Sequence, residues 1–306
     1  MPSKIVFMGT SKFSIPALDI LIKNHYNILS VYSQPPKRSK RGQKINVSPL
    51  HKFADKNNLP IRNPTNLNSE EELNFIKKLS PDLVIVVAYG KIFPKFFLKT
   101  AKFGFLNIHA SLLPKWRGAA PIQRAIINQD RKIGVSIMKI QEELDAGPVL
   151  STWEMVLNPN LTYGEVEEKL AEEGAKLLID SLKKIENDKF NFINQPNSEA
   201  TYAKKINKAE CKINWHLTAD EIIAVIHGLN PNPGAWFEYK TERFKVWKAK
   251  KSFNKGIPGT ILDNNLSIAC KSDSIQVLEI QREGKKKQQV KDFLLGTKIS
   301  KGIILN

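Results

Sequence analysis

Cysteine is almost missing from this chain: Cys211 and Cys270 are its only two in 306 residues. They have no metal-type spacing and build no even-numbered framework, so neither a zinc site nor a disulfide scaffold is indicated, and both thiols are expected to be inert. No uninterrupted apolar run approaches the roughly 18 residues of a membrane span. Met1-Pro2-Ser3-Lys4 leads directly into an apolar strand with no secretory h-region, so a cytoplasmic chain with no membrane partner is expected. Gly-x-Gly-x-x-Gly is absent from the first strand–helix turn, Gly9-Thr10-Ser11, so a dinucleotide site has no support. Arginine is scarce, with 8 against 39 lysines, and acidic residues are outnumbered, which leaves a formal charge of +17. Clustered cations suit a polyanionic partner. A Lys- and Asn-rich composition is also what an AT-rich genome produces without any selected binding surface.

The length exceeds one typical domain, and 42% hydrophobic residues is ordinary for a globular chain, so two cores are expected. The first half alternates strands and helices. Lys4 to Met8 is an apolar strand, Pro16 sits in the first turn of a helix to about Lys23, and Asn27 to Tyr32 is a second strand. Ser48-Pro49 and Ser69-Glu70-Glu71-Glu72 open further helices, the latter as a capping box, and Asp82 to Ala88 is apolar enough to be a central buried strand. Strands follow at Ile133 to Ile140 and Val149 to Leu157, and Thr162-Tyr163-Gly164-Glu165 caps a long helix to about Glu186. Gln195 to Ala203 has the composition of a linker. Beyond it, Ala235–Tyr239, Phe244–Ala249, Gly259–Leu262, Leu266–Lys271 and Ser274–Gln281 form short strands between turns, as in a small OB-like barrel. The expected architecture is thus a Rossmann-like parallel-sheet domain over 1–190, a linker over 191–203 and an OB-like β-barrel domain over 204–306. Residues 204 to 306 carry 19 basic and 10 acidic side chains, about twice the net charge per residue of the rest. Most aromatics there, such as Trp236, Phe237, Phe244 and Trp247, are expected to fill the core.

The most informative stretch runs from Phe105 to Pro121. Side chains alternate faces along a strand, so Asn107 and His109 share one surface while Leu106, Ile108 and Ala110 point to the apolar layer. Pro114 and the Arg117-Gly118 pair then keep the chain irregular, at the strand end where open α/β sheets bind ligands. A second run, Pro35-Pro36-Lys37-Arg38-Ser39-Lys40-Arg41-Gly42, packs basic residues between prolines and a glycine. It has no apolar anchor before Ile45, so it is expected to be an exposed loop, either a solvated tip or a phosphate contact. Asp145, before Ala146-Gly147-Pro148, has the setting of a turn former.

Asn107-Ile108-His109 followed by Ser111-Leu112-Leu113-Pro114 and Trp116-Arg117-Gly118 resembles the signature of the folate-dependent formyltransferases, and the likeness extends to Val290-Lys291-Asp292-Phe293. That resemblance implies formyl transfer from 10-formyltetrahydrofolate, used as co-substrate without a metal. It implies catalytic roles for Asn107, His109 and Asp145, and folate contacts at Tyr89, Gly90, Ser111, Leu112, Leu113 and Pro114. The family carries a basic insertion where Lys37, Arg38, Lys40 and Arg41 stand, which implies contact with the tRNA acceptor stem. The acceptor it implies is the α-amino group of initiator methionyl-tRNA, with the enzyme a monomer acting in translation initiation. The chain departs from the family pattern at Lys40, Lys91 and Asn232. Two other readings share the motifs: a formyltransferase for a small amine, such as glycinamide ribonucleotide or an amino sugar nucleotide, and an RNA-binding protein that transfers nothing. Intact Asn107, His109 and Asp145 argue against the second.

Overall fold

The computed structural model describes residues 4–39, 44–297 and 299–305, with the backbone alone for 37–39, 44 and 45. The chain divides into two compact units. One comprises Met1–Pro121, Ile133–Met155 and Glu167–Ala203, and the other comprises Ile122–Lys132, Val156–Val166 and Lys204–Asn306.

The strands of the first unit are, in chain order, β1 (Lys4–Gly9), β2 (Asn27–Tyr32), β3 (Lys37–Ser39), β4 (Lys44–Asn46), β5 (Ile61–Arg62), β6 (Leu83–Val87), β7 (Phe105–His109), β8 (Arg117–Gly118), β9 (Lys132–Lys139), β10 (Val149–Val156) and β11 (Tyr202–Ala203). Seven of them form one sheet in the order β10-β9-β7-β6-β1-β2-β5. β5, β2, β1, β6 and β7 run parallel, and β9 pairs antiparallel with β7. β6 is buried along its whole length, as its unbroken Leu-Val-Ile-Val-Val predicts for a central parallel strand. After β1 the chain builds outward through β2 and β5, then crosses back to place β6 on the other side of β1. The loops after β1 and β6 therefore flank the switch in strand order, where a crevice opens at the carboxyl ends of the strands. Thr10 Oγ1 donates to the Tyr89 carbonyl at 3.1 Å and ties these two loops together.

Helix Ile15–Lys23 has Pro in its first turn, and helix Pro49–Lys56 is capped by Ser48, whose side chain accepts from His51 N. Ser69 likewise caps Glu70–Leu79, but the reciprocal half of the expected capping box does not form: the Glu72 carboxylate is buried and pairs with Arg62 instead. A carboxylate removed from water gains more from a guanidinium than from one backbone N–H. The basic run expected to be an irregular loop is partly regular, because β3 and β4 pair antiparallel with Lys37 opposite Asn46 and Ser39 opposite Lys44. Mutual pairing satisfies the backbone without an apolar anchor. Lys40 and Arg41 lie outside the described residues.

In the second unit, Ala235–Tyr239 (β12), Glu242–Ser252 (β13), Ser267–Ala269 (β14), Ser274–Arg282 (β15) and Gln288–Gln289 (β16) make a five-stranded antiparallel sheet. Residues 259–262, expected as a strand, contribute only the bridges Thr260–Ile304 and Ile261–Ile268. The helix Ala219–Gly228 opens on a full Thr218–Glu221 capping box and packs on the sheet, and Phe237, Phe244, Ile226 and Ile280 are among the core side chains. Phe237 stacks on Phe244 at 5.7 Å, so these aromatics fill the core as expected. Trp236 is only partly buried and carries the Arg243 guanidinium over its ring at 3.9 Å.

Candidate active site

The site grows from the carboxyl end of β7. Asn107 sits opposite Val86 of β6 and Met138 of β9, and His109 opposite Ser136. Ile108, between them, faces the other way and is buried. Among the described residues the Asn107 carboxamide has no protein hydrogen bond and is only half-buried, so both its N–H groups are open to a ligand. His109 is buried, and its Nε2 donates to the Trp116 carbonyl at 3.0 Å. A carbonyl can only accept, so the neutral ring carries its proton on Nε2 and presents a lone pair at Nδ1. That Nδ1 lies 3.6 Å from Asp145 Oδ2. The gap is wider than a hydrogen bond, and a second proton on the ring would turn it into an ion pair.

Asp145 reaches this position from the loop after β9. Its backbone is left-handed, at φ +49°, and its Oδ2 accepts from the Gly118 N–H at 2.8 Å. Gly118 itself stands at φ +122°, with the Ala203 carbonyl only 2.9 Å from where a Cβ would project. The loop carrying Asp145 and the loop following β7 are thereby joined at one carboxylate oxygen, and the other oxygen has no protein partner among the described residues.

The segment after His109 is held from within. Ser111 is buried and its hydroxyl donates to the Lys115 carbonyl at 2.6 Å, while Ser136 Oγ donates to the Ser111 carbonyl at 2.7 Å and accepts from Leu113 N at 3.2 Å. Leu112 packs against Gly134, where a Cβ would lie 2.6 Å from Leu112 Cδ2. Leu112, Leu113 and Pro114 are partly exposed, with apolar surface to offer a ligand. Tyr89 and Gly90 lie at the crevice between β1 and β6. Burial pushes the Tyr89 phenol up from its ordinary value, and its ring stacks on Phe93 at 5.9 Å, so the backbone is the part of this turn available for recognition. Gln34 Nε2 donates to both the Tyr89 and Gly90 carbonyls, at 2.9 and 3.3 Å. Lys91 turns away from the crevice, and its ammonium donates to the carbonyls of Pro64 and Thr65.

Asn107, His109 and Asp145 are therefore together, next to the Ser111–Pro114 loop. Lys37 and Arg38 belong to the separate β3–β4 ribbon. Sequence reasoning missed Gln34, Ser136, Gln195, Asn197 and Thr201, each of which bonds to the site's backbone or side chains. They occupy unpatterned polar stretches and carry no spacing signal. Gln195 is the most telling, since it stands in the segment whose composition reads as a linker. Yet Ile193 there bridges Val149, and β11 pairs parallel with β8.

Residues 3–182 match the family described as Formyl transferase, and residues 205–298 match Formyl transferase, C-terminal domain. The chain is 47% identical over 304 residues to the methionyl-tRNA formyltransferase of Pelagibacter ubique (strain HTCC1062), covering 99% of this chain and 98% of that protein. To the methionyl-tRNA formyltransferase of Rickettsia prowazekii (strain Madrid E) it is 43% identical over 305 residues, with 99% of each covered. Two solved structures share the fold. One is the N-formyltransferase from Helicobacter canadensis in complex with folinic acid and dTDP-3-aminofucose, at TM-score 0.68 and 20% identity, covering 92% of this chain and 100% of that one. The other is HypX from Aquifex aeolicus in complex with tetrahydrofolic acid, at TM-score 0.67 and 16% identity, covering 96% of this chain and 47% of that one. With two family matches in tandem and 43–47% identity along the full length of such relatives, the chain belongs to the methionyl-tRNA formyltransferase family.

Proposed function

We propose that this chain transfers a formyl group from 10-formyltetrahydrofolate to the α-amino group of methionyl initiator tRNA. The observation that carries the reading is the unpartnered Asn107 carboxamide beside a buried His109 whose Nδ1 faces Asp145 at 3.6 Å, in a chain this similar to methionyl-tRNA formyltransferases. The folate supplies the activated formyl group. Its donor set fits the site's chemistry: the Gly90 carbonyl, which among the described residues accepts from Gln34 alone, for a ring N–H group, and apolar surface at Leu112, Leu113 and Pro114.

Attack by the amine on the formyl carbon develops negative charge on the formyl oxygen. An Asn107 N–H donates to that oxygen, and a His109 that takes a second proton at Nδ1, against Asp145, adds its positive charge nearby, both held in place before the reaction. The attacking amine must lose a proton. The Asp145 oxygen not bonded to Gly118 accepts it directly or through water, and Asp145 also balances the charge of a protonated His109. Collapse of the tetrahedral adduct breaks the bond between the formyl carbon and N10 of the folate, and the proton is returned to that nitrogen as tetrahydrofolate leaves. Ser111 is no nucleophile in this scheme, because its hydroxyl is engaged with the Lys115 carbonyl and no base adjoins it. Lys37, Arg38, Lys40 and Arg41 serve the tRNA phosphates. The acceptor class separates this reading from the small-amine one, which leaves the basic ribbon without a task.

The test offers labelled 10-formyltetrahydrofolate with charged initiator tRNA, charged elongator tRNA, glycinamide ribonucleotide or an amino sugar nucleotide. Label is expected on the initiator tRNA, and Asn107→Ala should slow that transfer about 10²- to 10³-fold with folate binding largely kept. Label on a small amine alone, or transfer by Asn107→Ala at the wild-type rate, would overturn the assignment.

A further inference from the structure

Gln195 and Thr201, which bond to the backbone around Asp145 and Trp116, lie between the two family matches, which end at residue 182 and resume at residue 205. Arg117 is the largest fully buried side chain among the described residues, at 1% exposure. Its Nε donates to Gln195 Oε1 at 3.0 Å and its Nη2 donates to Asn197 Oδ1 at 3.0 Å, while Glu143 approaches Nη1 at 3.8 Å. Arginine can only donate, so the Gln195 oxygen is fixed toward it and the Gln195 NH2 must point the other way. That NH2 donates to the Asp145 carbonyl at 2.8 Å and to the Gly147 carbonyl at 2.6 Å. Gln195 thus closes the turn in which Asp145 takes its left-handed backbone, a conformation a non-glycine residue keeps only when its surroundings impose it.

The same segment reaches His109. Trp116 also has a positive φ, of +61°, and its N–H donates to Thr201 Oγ1 at 2.9 Å, while Arg117 N donates to the Thr201 carbonyl at 2.8 Å. Trp116 is the residue whose carbonyl accepts from His109 Nε2. One stretch, from Gln195 to Ala203, therefore sets both the turn that carries Asp145 and the carbonyl that decides which nitrogen of His109 bears the proton.

We infer that Gln195, oriented by the buried Arg117, and Thr201 are positioning residues that align Asp145 and His109 for formyl transfer. The inference rests on the reading of Asn107, His109 and Asp145 as the groups that meet the substrate. Neither Gln195 nor Thr201 need touch either substrate. Removing the Gln195 donor frees the Asp145 turn to relax, which moves Oδ2 relative to His109 Nδ1 and to the amine. Losing the Thr201 hydroxyl leaves the Trp116 N–H without that acceptor, so the positive φ of Trp116 can relax and shift the carbonyl that holds the proton on His109 Nε2. Displacements of about 1 Å at reacting groups cost on the order of 10²-fold in rate.

The experiment compares wild type with Gln195→Leu, Gln195→Glu, Thr201→Val and Asp145→Asn in the full chain. Thermal melting is recorded first, then kcat and KM for both substrates across pH. Gln195→Leu and Gln195→Glu should lower kcat about 10- to 100-fold, leave both KM values within about twofold and displace the acid limb of the rate profile. Gln195→Glu keeps the length and the acceptor for Arg117 but loses the donor. It therefore stands in if the leucine variant does not fold. Thr201→Val should lower kcat in the same sense and shift the His109 ring-nitrogen resonances away from the Nε2–H tautomer. Wild-type kcat in a folded Gln195→Leu or Gln195→Glu protein, or a lowered kcat that merely follows a lowered melting temperature with no displaced pH limb, overturns the inference. Asp145→Asn transferring at the wild-type rate would instead overturn the underlying assignment of the reacting groups, whatever Gln195 does.

Discussion

His227 shows how one buried side chain makes stability depend on pH. It is 1% exposed in the second unit, and its Nδ1 donates to the Pro159 carbonyl at 3.0 Å. Burial holds the imidazole below its ordinary value, and Lys248 acts in the same sense, while the Pro159 and Ala249 backbone bonds and Glu165 oppose them. A histidine with a lowered folded pKa stays neutral where the unfolded chain, with a pKa near 6.5, already binds a proton. Its contribution is therefore fully present above about pH 6.5 and is lost as pH falls, until the folded pKa is passed. Urea unfolding between pH 7.5 and 5.0 should show a falling midpoint, and His227→Gln should flatten that slope. The window is clean of the lowered carboxylates Glu165, Glu173, Glu210 and Glu221, whose stability is lost only at more acid pH. An identical slope in the variant would mean that His227 is not the titrating group.

At the scale of elements, the strand carrying Asn107 and His109 is fixed by the helix Tyr163–Glu186 behind it. Apolar residues recur at helical spacing, with Val166, Leu170, Leu178 and Leu182 all at 0% exposure. Gly174 lies on this buried face, and a Cβ there would stand 2.9 Å from Ile108 Cγ2. The glycine lowers helix propensity, and its use is close approach to the one residue that separates Asn107 from His109. Gly174→Val should destabilise the protein by about 1–3 kcal/mol through overpacking and should slow transfer as Ile108 is displaced. Gly174→Ala should be milder, because the intrinsic helix gain of roughly 1 kcal/mol offsets part of the crowding. A denaturation midpoint for Gly174→Val equal to that of wild type would show that the helix has room to spare.

Across the whole molecule positive charge prevails, at +17 over 306 residues. If the basic ribbon contacts tRNA phosphates, changing Lys37, Arg38, Lys40 and Arg41 to Ser should weaken tRNA binding. It should also flatten the dependence of affinity on salt by up to about 0.9 per lost contact, taking duplex behaviour as the guide. Folate affinity should not move. Filter binding at several salt concentrations measures the slope, and a slope equal to that of wild type would leave the ribbon as a solvated feature.

Much of this protein was decided within a few residues of sequence. The alternation through Leu106-Asn107-Ile108-His109 put the carboxamide and imidazole on one face, and the fully apolar Leu83–Val87 could only be an inner strand. The Thr162–Glu165 and Thr218–Glu221 pairs opened their helices as reciprocal caps. These features are legible because their partners are three or four positions apart, so composition and spacing alone specify the contact. Other outcomes needed the closed chain. Glu72 left its capping box for Arg62, ten residues away. Gly118 met Asp145 across a separation of 27, and Gln195 met Asp145 and Arg117 across 50 and 78. The segments Ile122–Lys132 and Val156–Val166 joined the second unit far from the rest of it in sequence. No local pattern encodes such pairings. They exist because folding buries polar groups that must then find donors and acceptors wherever the chain has brought them, so the identity of Asn107 and His109 was written in the sequence and their alignment with Asp145 was settled by the tertiary structure.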